Sequence, residues 1–107
     1  MKIKEVIEKT GLTDRAIRLY IDEGLVLPNI DESYSGRKSI DFSQSDVDRL
    51  NNVALLRKAG FSIADIKSVV DDNSTAKNIV EKFIEQTEQN IAHETKIVEK
   101  LKGISFD

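Results

Sequence analysis

The sequence predicts a mainly α-helical protein: a helical headpiece carrying one β-hairpin, then a C-terminal coiled-coil helix. Three observations predict it. Short runs of apolar residues at helical spacing fill the first 71 residues, several of them stopped by glycine. One segment, from Pro28 to Phe42, breaks that spacing. From Thr75 to about Lys102 there is no Gly or Pro, and apolar residues recur every seven positions. At 107 residues the chain has room for one small domain and an appendage.

Ile3, Val6 and Ile7 fall at i, i+3 and i+4 and open a short amphipathic helix, which Thr10-Gly11 ends. Thr13 is a good N-cap for a second helix, expected from about Asp14 to Glu23 with a stop at Gly24. On a helical wheel Ala16, Ile17, Tyr20 and Ile21 share one arc. Arg15, Arg18 and Asp22 share the other, with Leu19 at its border. Two short helices joined through a Gly turn read as a helix-turn-helix, the second helix being the candidate recognition helix.

Pro28 prevents the apolar exit Leu25-Val26-Leu27 from continuing as helix. Ile30 to Tyr34, a Ser35-Gly36 turn and Arg37 to Phe42 then read as a hairpin, or wing. Ser43 with Asp46 opens a third helix with Val47, Leu50, Val53, Ala54 and Leu56 inward, ending near Lys58-Ala59-Gly60. Ser62 and Asp65 repeat that opening for a short fourth helix built on Ile63, Ile66, Val69 and Val70. Asp71-Asp72-Asn73 reads as a loop and Ser74 as a cap. Val80, Ile84, Thr87, Ile91, Glu94, Val98 and Leu101 then form a seam, widened by Phe83 and Ile97. A helix of about 28 residues is roughly 42 Å long. Its stripe would stand exposed in a monomer, so a partner helix over residues 75–102 is expected. The expected domains are a winged helix-turn-helix headpiece (1–73), a dimerisation helix (74–102) and a tail (103–107).

Composition narrows the function. There is no Cys, which excludes disulfides, thiolate metal sites and cysteine nucleophiles. The lone His93 is a poor metal site and reads as a surface residue. No Gly-rich phosphate loop and no carboxylate pair with a pocket is evident, so an enzyme is not expected, nor a cofactor. No apolar run approaches the roughly 18 residues that span a bilayer, and the first residues lack the apolar core of a signal peptide. A soluble, cytoplasmic protein with no membrane partner is expected. The net charge of −3 argues mildly against nucleic acid, but its distribution matters more. Residues 1–58 hold 10 basic and 10 acidic groups and all five arginines, and the acidic excess lies beyond them. Arginine suits bidentate contacts to phosphate and guanine.

Several blocks resemble the DNA-binding domain of the MerR family of bacterial transcription regulators. They are Thr10-Gly11-Leu12-Thr13, Ile17-Arg18-Leu19-Tyr20, Gly24-Leu25, Phe42-Ser43-Gln44-Ser45-Asp46-Val47, and Leu56-Arg57-Lys58-Ala59-Gly60-Phe61-Ser62-Ile63-Ala64-Asp65-Ile66. The resemblance covers about residues 2–71, and the long last helix is similar to the family's antiparallel dimerisation coil. It departs from the family pattern at Leu19, where a second aromatic is usual, and at Ser39-Ile40, where the wing commonly has Tyr-Arg. The resemblance implies a dimer on a near-palindromic site between two promoter elements, distorting the DNA so that RNA polymerase engages both. It also implies an effector segment beyond the coil. Only Gly103 to Asp107 follow it here, so either the chain is the DNA-binding portion of a longer effector-responsive protein, the favoured expectation, or it works without a ligand domain.

The candidate DNA-binding residues are Thr13, Arg15, Arg18, Tyr20, Arg37, Lys38 and Arg57, each with a structural alternative. Arg15 and Arg18 read as base-edge or phosphate contacts, or as a solvated face paired with Asp14 and Asp22. Thr13 offers a phosphate contact and an N-cap together. The Tyr20 ring belongs to the core, with its hydroxyl toward the DNA backbone as the functional reading. Arg37 and Lys38 read as wing contacts, or as charges that keep an edge strand soluble. Arg57, with Lys58, serves either phosphate or the helix C-terminus. A non-enzymatic coiled-coil adaptor with a protein-binding headpiece is the alternative function, and it predicts no salt-dependent affinity for DNA.

Overall fold

The computed structural model describes residues 1–34 and 37–106, with side chains except at positions 32–38 and 73. The elements are α1 (Ile3–Thr10), α2 (Asp14–Asp22), β1 (Asn29–Tyr34), β2 (Arg37–Asp41), α3 (Gln44–Lys58), α4 (Ile63–Asp71) and α5 (Asn73–Lys102). The chain divides into two compact units between Asp71 and Asp72. Every fully buried apolar side chain among the described residues lies between Val6 and Ile66.

The helix boundaries follow from local chemistry. The Thr13 hydroxyl accepts from the Ala16 amide at 3.1 Å and caps α2. Ser43 and Asp46 form a reciprocal capping box at the start of α3, with contacts of 3.1 and 2.8 Å. Ser62 takes the Asp65 amide at 3.1 Å before α4. Helices α2 and α3 end alike. Gly24 and Gly60 hold φ of 75° and 102°, which favour glycine strongly. In each case the next residue folds back. The Leu25 amide donates to the Tyr20 carbonyl at 2.9 Å, and the Phe61 amide to that of Leu56 at 3.1 Å. These are Schellman closures, and both returning side chains, Leu25 and Phe61, enter the core.

The hairpin is a two-stranded antiparallel sheet pairing Asn29 with Asp41, Ile30 with Ile40 and Asp31 with Ser39. Its register shifts between Asp31 and Tyr34, where Tyr34 meets Arg37. The expected Ser35-Gly36 turn lies outside the described residues. Strand β2 stops one residue short of the expected end, at Asp41. Phe42 is drawn into the core instead, 2% exposed. Its amide and carbonyl pair with the Met1 carbonyl and amine at 2.8 and 2.7 Å. The amine also meets Asp41 at 2.9 Å. That hydrogen-bonded charge, with Lys2 adding less, holds the Asp41 carboxyl below the usual range.

A second expectation is corrected at the joint between the units. Residues 71–73 are not a loop capped by Ser74. Helix α4 reaches Asp71, Asp72 alone is non-helical, and α5 starts at Asn73. Ser74 donates to the cap rather than forming it. Its hydroxyl and amide reach Asp72 Oδ1 at 2.8 and 3.1 Å. The Thr75 hydroxyl and amide reach the same carboxylate at 2.8 and 3.4 Å. These bonds, the Ser74 hydroxyl first, lower the Asp72 pKa to about 2.

Helix α5 is 30 residues long, which corresponds to about 45 Å. Its seam is open. Ile84, Ile91, Val98 and Leu101 are 48%, 57%, 47% and 57% exposed. No helix among the described residues is long and apolar enough to cross a membrane.

Candidate nucleic-acid interface

The candidate surface is built on α2. Ile17 and Tyr20 are buried and anchor the helix to the core, which turns Asp14, Arg15, Arg18 and Asp22 to solvent. The Arg18 Nε donates to Asp14 Oδ2 at 2.8 Å, one turn back. Both partners are half-exposed, so the pair stabilises α2 by only about 0.3–0.5 kcal/mol and yields readily to a stronger anion. Arg15 makes no ion pair or hydrogen bond among the described residues. Thr13, at the N-terminus of α2, caps it as expected and is exposed. The first turn therefore offers amides and the positive end of a helix dipole beside two guanidinium groups, a suitable setting for a phosphate or a guanine edge.

Two grooves flank this face. One, of about 260 Å³, runs between α2 and the hairpin and is lined by Arg18, Ile21, Asp22, Ile30 and Ile40. The other, of about 210 Å³, joins Arg18 to Lys2, Ile3, Ser39 and Ile40. Lys2 is a cation that sequence reasoning missed. Its Nζ donates to Ser39 Oγ at 2.6 Å, placing it on the hairpin beside the recognition helix. No local pattern announces this, because 37 positions separate the partners. The wing cations Arg37 and Lys38 stand at the start of β2 by their backbone, and their side chains lie outside the described residues.

Tyr20 and Arg57 come together elsewhere. They line a cleft of about 580 Å³ with Thr10, Leu12, Asn51 and Lys58, between the helix-turn-helix and the end of α3. Tyr20 is 8% exposed, as its place on the apolar arc implies. Arg57 Nη1 donates to the Phe61 carbonyl at 2.9 Å, so this guanidinium supports the α3–α4 turn. The side chain as a whole is exposed. Arg49 has a structural task. Its Nε holds the Leu25 carbonyl at 2.7 Å and its Nη2 the Val70 carbonyl at 3.4 Å, fastening α3 to the exit of α2 and the end of α4. No cluster of metal-ligating side chains occurs among the described residues.

A capped recognition helix, a flanking two-stranded wing and a following helix pair define a winged helix-turn-helix protein. The family model described as MerR HTH family regulatory protein matches residues 1–73, and the chain belongs to that family. Among curated relatives, the nodulation protein NolA of Bradyrhizobium diazoefficiens is 26% identical over 106 residues, 99% of this chain and 44% of that protein. The HTH-type transcriptional regulator CueR of Vibrio cholerae is 35% identical over 80 residues, 71% of this chain and 55% of that protein. The chain thus spans about half the length of these relatives, or less. Among solved structures, HiNmlR, a MerR family regulator lacking the sensor domain and bound to promoter DNA, superposes with a TM-score of 0.68. The two are 24% identical, and the match covers 92% of this chain and 78% of that one. At that identity the likeness shows the fold.

Proposed function

We propose that this chain is the DNA-binding portion of a dimeric, non-enzymatic transcription regulator of the cytoplasm. Helix α2 enters a major groove with Arg15 and Arg18 toward the base edges, while Thr13 and its neighbouring amides meet a phosphate. Arg37 and Lys38 on the wing, with Arg57 and the Tyr20 hydroxyl, contact the backbone on either side. Two copies pair through residues 75–102, so the site is a near-palindrome whose half-site spacing the dimer sets. The phosphate contacts stabilise a distorted promoter on which RNA polymerase engages both elements. The headpiece spans 1–73, the pairing helix 74–102 and a tail 103–107.

One observation carries this reading: both arginines of α2 lie exposed on the face opposite its buried anchors. HiNmlR, which was solved bound to promoter DNA, supports it by its shared fold. The test is affinity for duplexes selected from a random pool, measured at two salt concentrations. Binding falls steeply with salt as counterions are released. Arg18→Ala lowers specific affinity by about fivefold to a hundredfold, the range of one guanine-edge contact, with the fold unchanged by circular dichroism. Full affinity and specificity in that variant would refute the assignment of α2. An adaptor binds no duplex at either salt.

A further inference from the structure

We propose that Leu19 is a specificity-determining residue that reads the C5-methyl group of a thymine. The proposal rests on α2 being the recognition helix and deepens that reading. An isolated exposed leucine needs no explanation on an ordinary surface. This one lies on a face whose other members, Asp14, Arg15, Arg18 and Asp22, are all charged, and it is 43% exposed. At 100° per residue, Arg18 and Leu19 stand about 50° to either side of the line through Arg15 and Asp22. A guanidinium and an isobutyl group thus flank the centre of the same outward face. The core has no use for this side chain, since Ile17 and Tyr20 already anchor the helix. The grooves toward the hairpin take Arg18 and Ile21 and leave Leu19 out.

The chemistry of the face selects the ligand. The major-groove floor presents donors and acceptors at every base pair but only one apolar group, the thymine methyl. The arginines are matched by guanine or phosphate. Leu19 carries no donor or acceptor, so a cytosine or adenine amino group beneath it would lose water without compensation. A methyl group beneath it gains from being covered. Arg18 and Leu19 adjacent in sequence therefore read neighbouring bases, one by hydrogen bonds and one by exclusion of water.

The experiment uses the whole chain and the best site selected from random duplexes. Each thymine of a half-site is replaced in turn by deoxyuridine, which lacks only the methyl group. Affinity is measured by fluorescence anisotropy at fixed salt for the unaltered protein and for Leu19→Ala. Alanine at this exposed position keeps the helix, being the strongest helix former. At one thymine per half-site the unaltered protein weakens by about fourfold on loss of the methyl, the equivalent of one buried CH₂. Changing both half-sites weakens it by roughly fifteenfold if the two contributions multiply. Leu19→Ala binds the two duplexes equally well. The proposal is overturned if no thymine-to-uracil change weakens the unaltered protein, or if Leu19→Ala loses as much at that position. A selection that yields no site and no salt-dependent affinity overturns the recognition-helix reading itself, and this proposal with it.

Discussion

Replacing Ile91 by Glu tests the pairing role of α5. Ile91 sits at the middle of the seven-residue series Ile84, Ile91, Val98 and is 57% exposed in the single chain. Fully covering an isoleucine side chain is worth about 1.5–3 kcal/mol, so covering the exposed part gains about 1–2 kcal/mol per chain. A two-fold dimer loses this twice, about 2–4 kcal/mol, before the cost of placing two carboxylates in an apolar seam. Dissociation should therefore strengthen by at least thirtyfold and up to about a thousandfold. Sedimentation equilibrium over a range of protein concentrations reads this directly. Glutamate is a good helix former, so the monomer keeps its α5 helicity. Gln89→Glu is the control: it adds the same charge about 160° away around the helix. The expected result is a dimer for the control and a concentration-dependent monomer for Ile91→Glu. Equal sedimentation of the two variants, or a monomeric unaltered chain at high micromolar concentration, would refute the seam argument.

The joint between the units should respond to pH. The Asp72 carboxyl is lowered to about 2 by the hydroxyls and amides of Ser74 and Thr75, against an ordinary value near 3.8. A depressed carboxylate stabilises the fold above its unfolded pKa and loses that contribution as pH falls through its folded one. The first turn of α5 should thus hold above about pH 4 and fray between pH 4 and 2, followed by amide chemical shifts of Ser74 and Thr75. Asp72→Ala should show the frayed signals already at pH 7; ordered signals there would contradict the cap. Arg49→Met removes the donor that holds the Leu25 carbonyl at 2.7 Å. It should lower stability by about 1–2 kcal/mol, read as a lower urea midpoint at unchanged slope, with α2 intact. An unchanged midpoint would show that the bond to Leu25 contributes nothing.

Particular elements show why some of this was legible in one dimension. Ser43 with Asp46 and Ser62 with Asp65 are three residues apart, so their hydrogen bonds close within a single turn and sequence suffices to place them. The same holds for the wheel that separates Ile17 and Tyr20 from Arg15 and Arg18. The spacing does not single out Asp72, because Asp71, Asp72, Asn73 and Ser74 are all capping types side by side. Only the backbone angles at Asp72, φ −139° and ψ 102°, choose among them. Phe42 escapes the strand pattern for a related reason. Alternation continues through it, yet its ring is needed in the core and its backbone pairs with Met1.

The sequence by itself determined the capped starts of α2, α3 and α4, the apolar arcs, the open seam of α5 and the pair of arginines on one face. These depend on neighbours within a turn or a heptad, where spacing and geometry are the same thing. Only tertiary structure decided which side chains meet across distant segments. Lys2 reaches Ser39 beside Arg18, Arg57 turns to the Phe61 carbonyl, and Arg49 spans to Leu25 and Val70. The physical reason is range. A helix repeats its own contacts every few residues, whereas a long side chain picks whichever carbonyl or hydroxyl the packed core delivers to it.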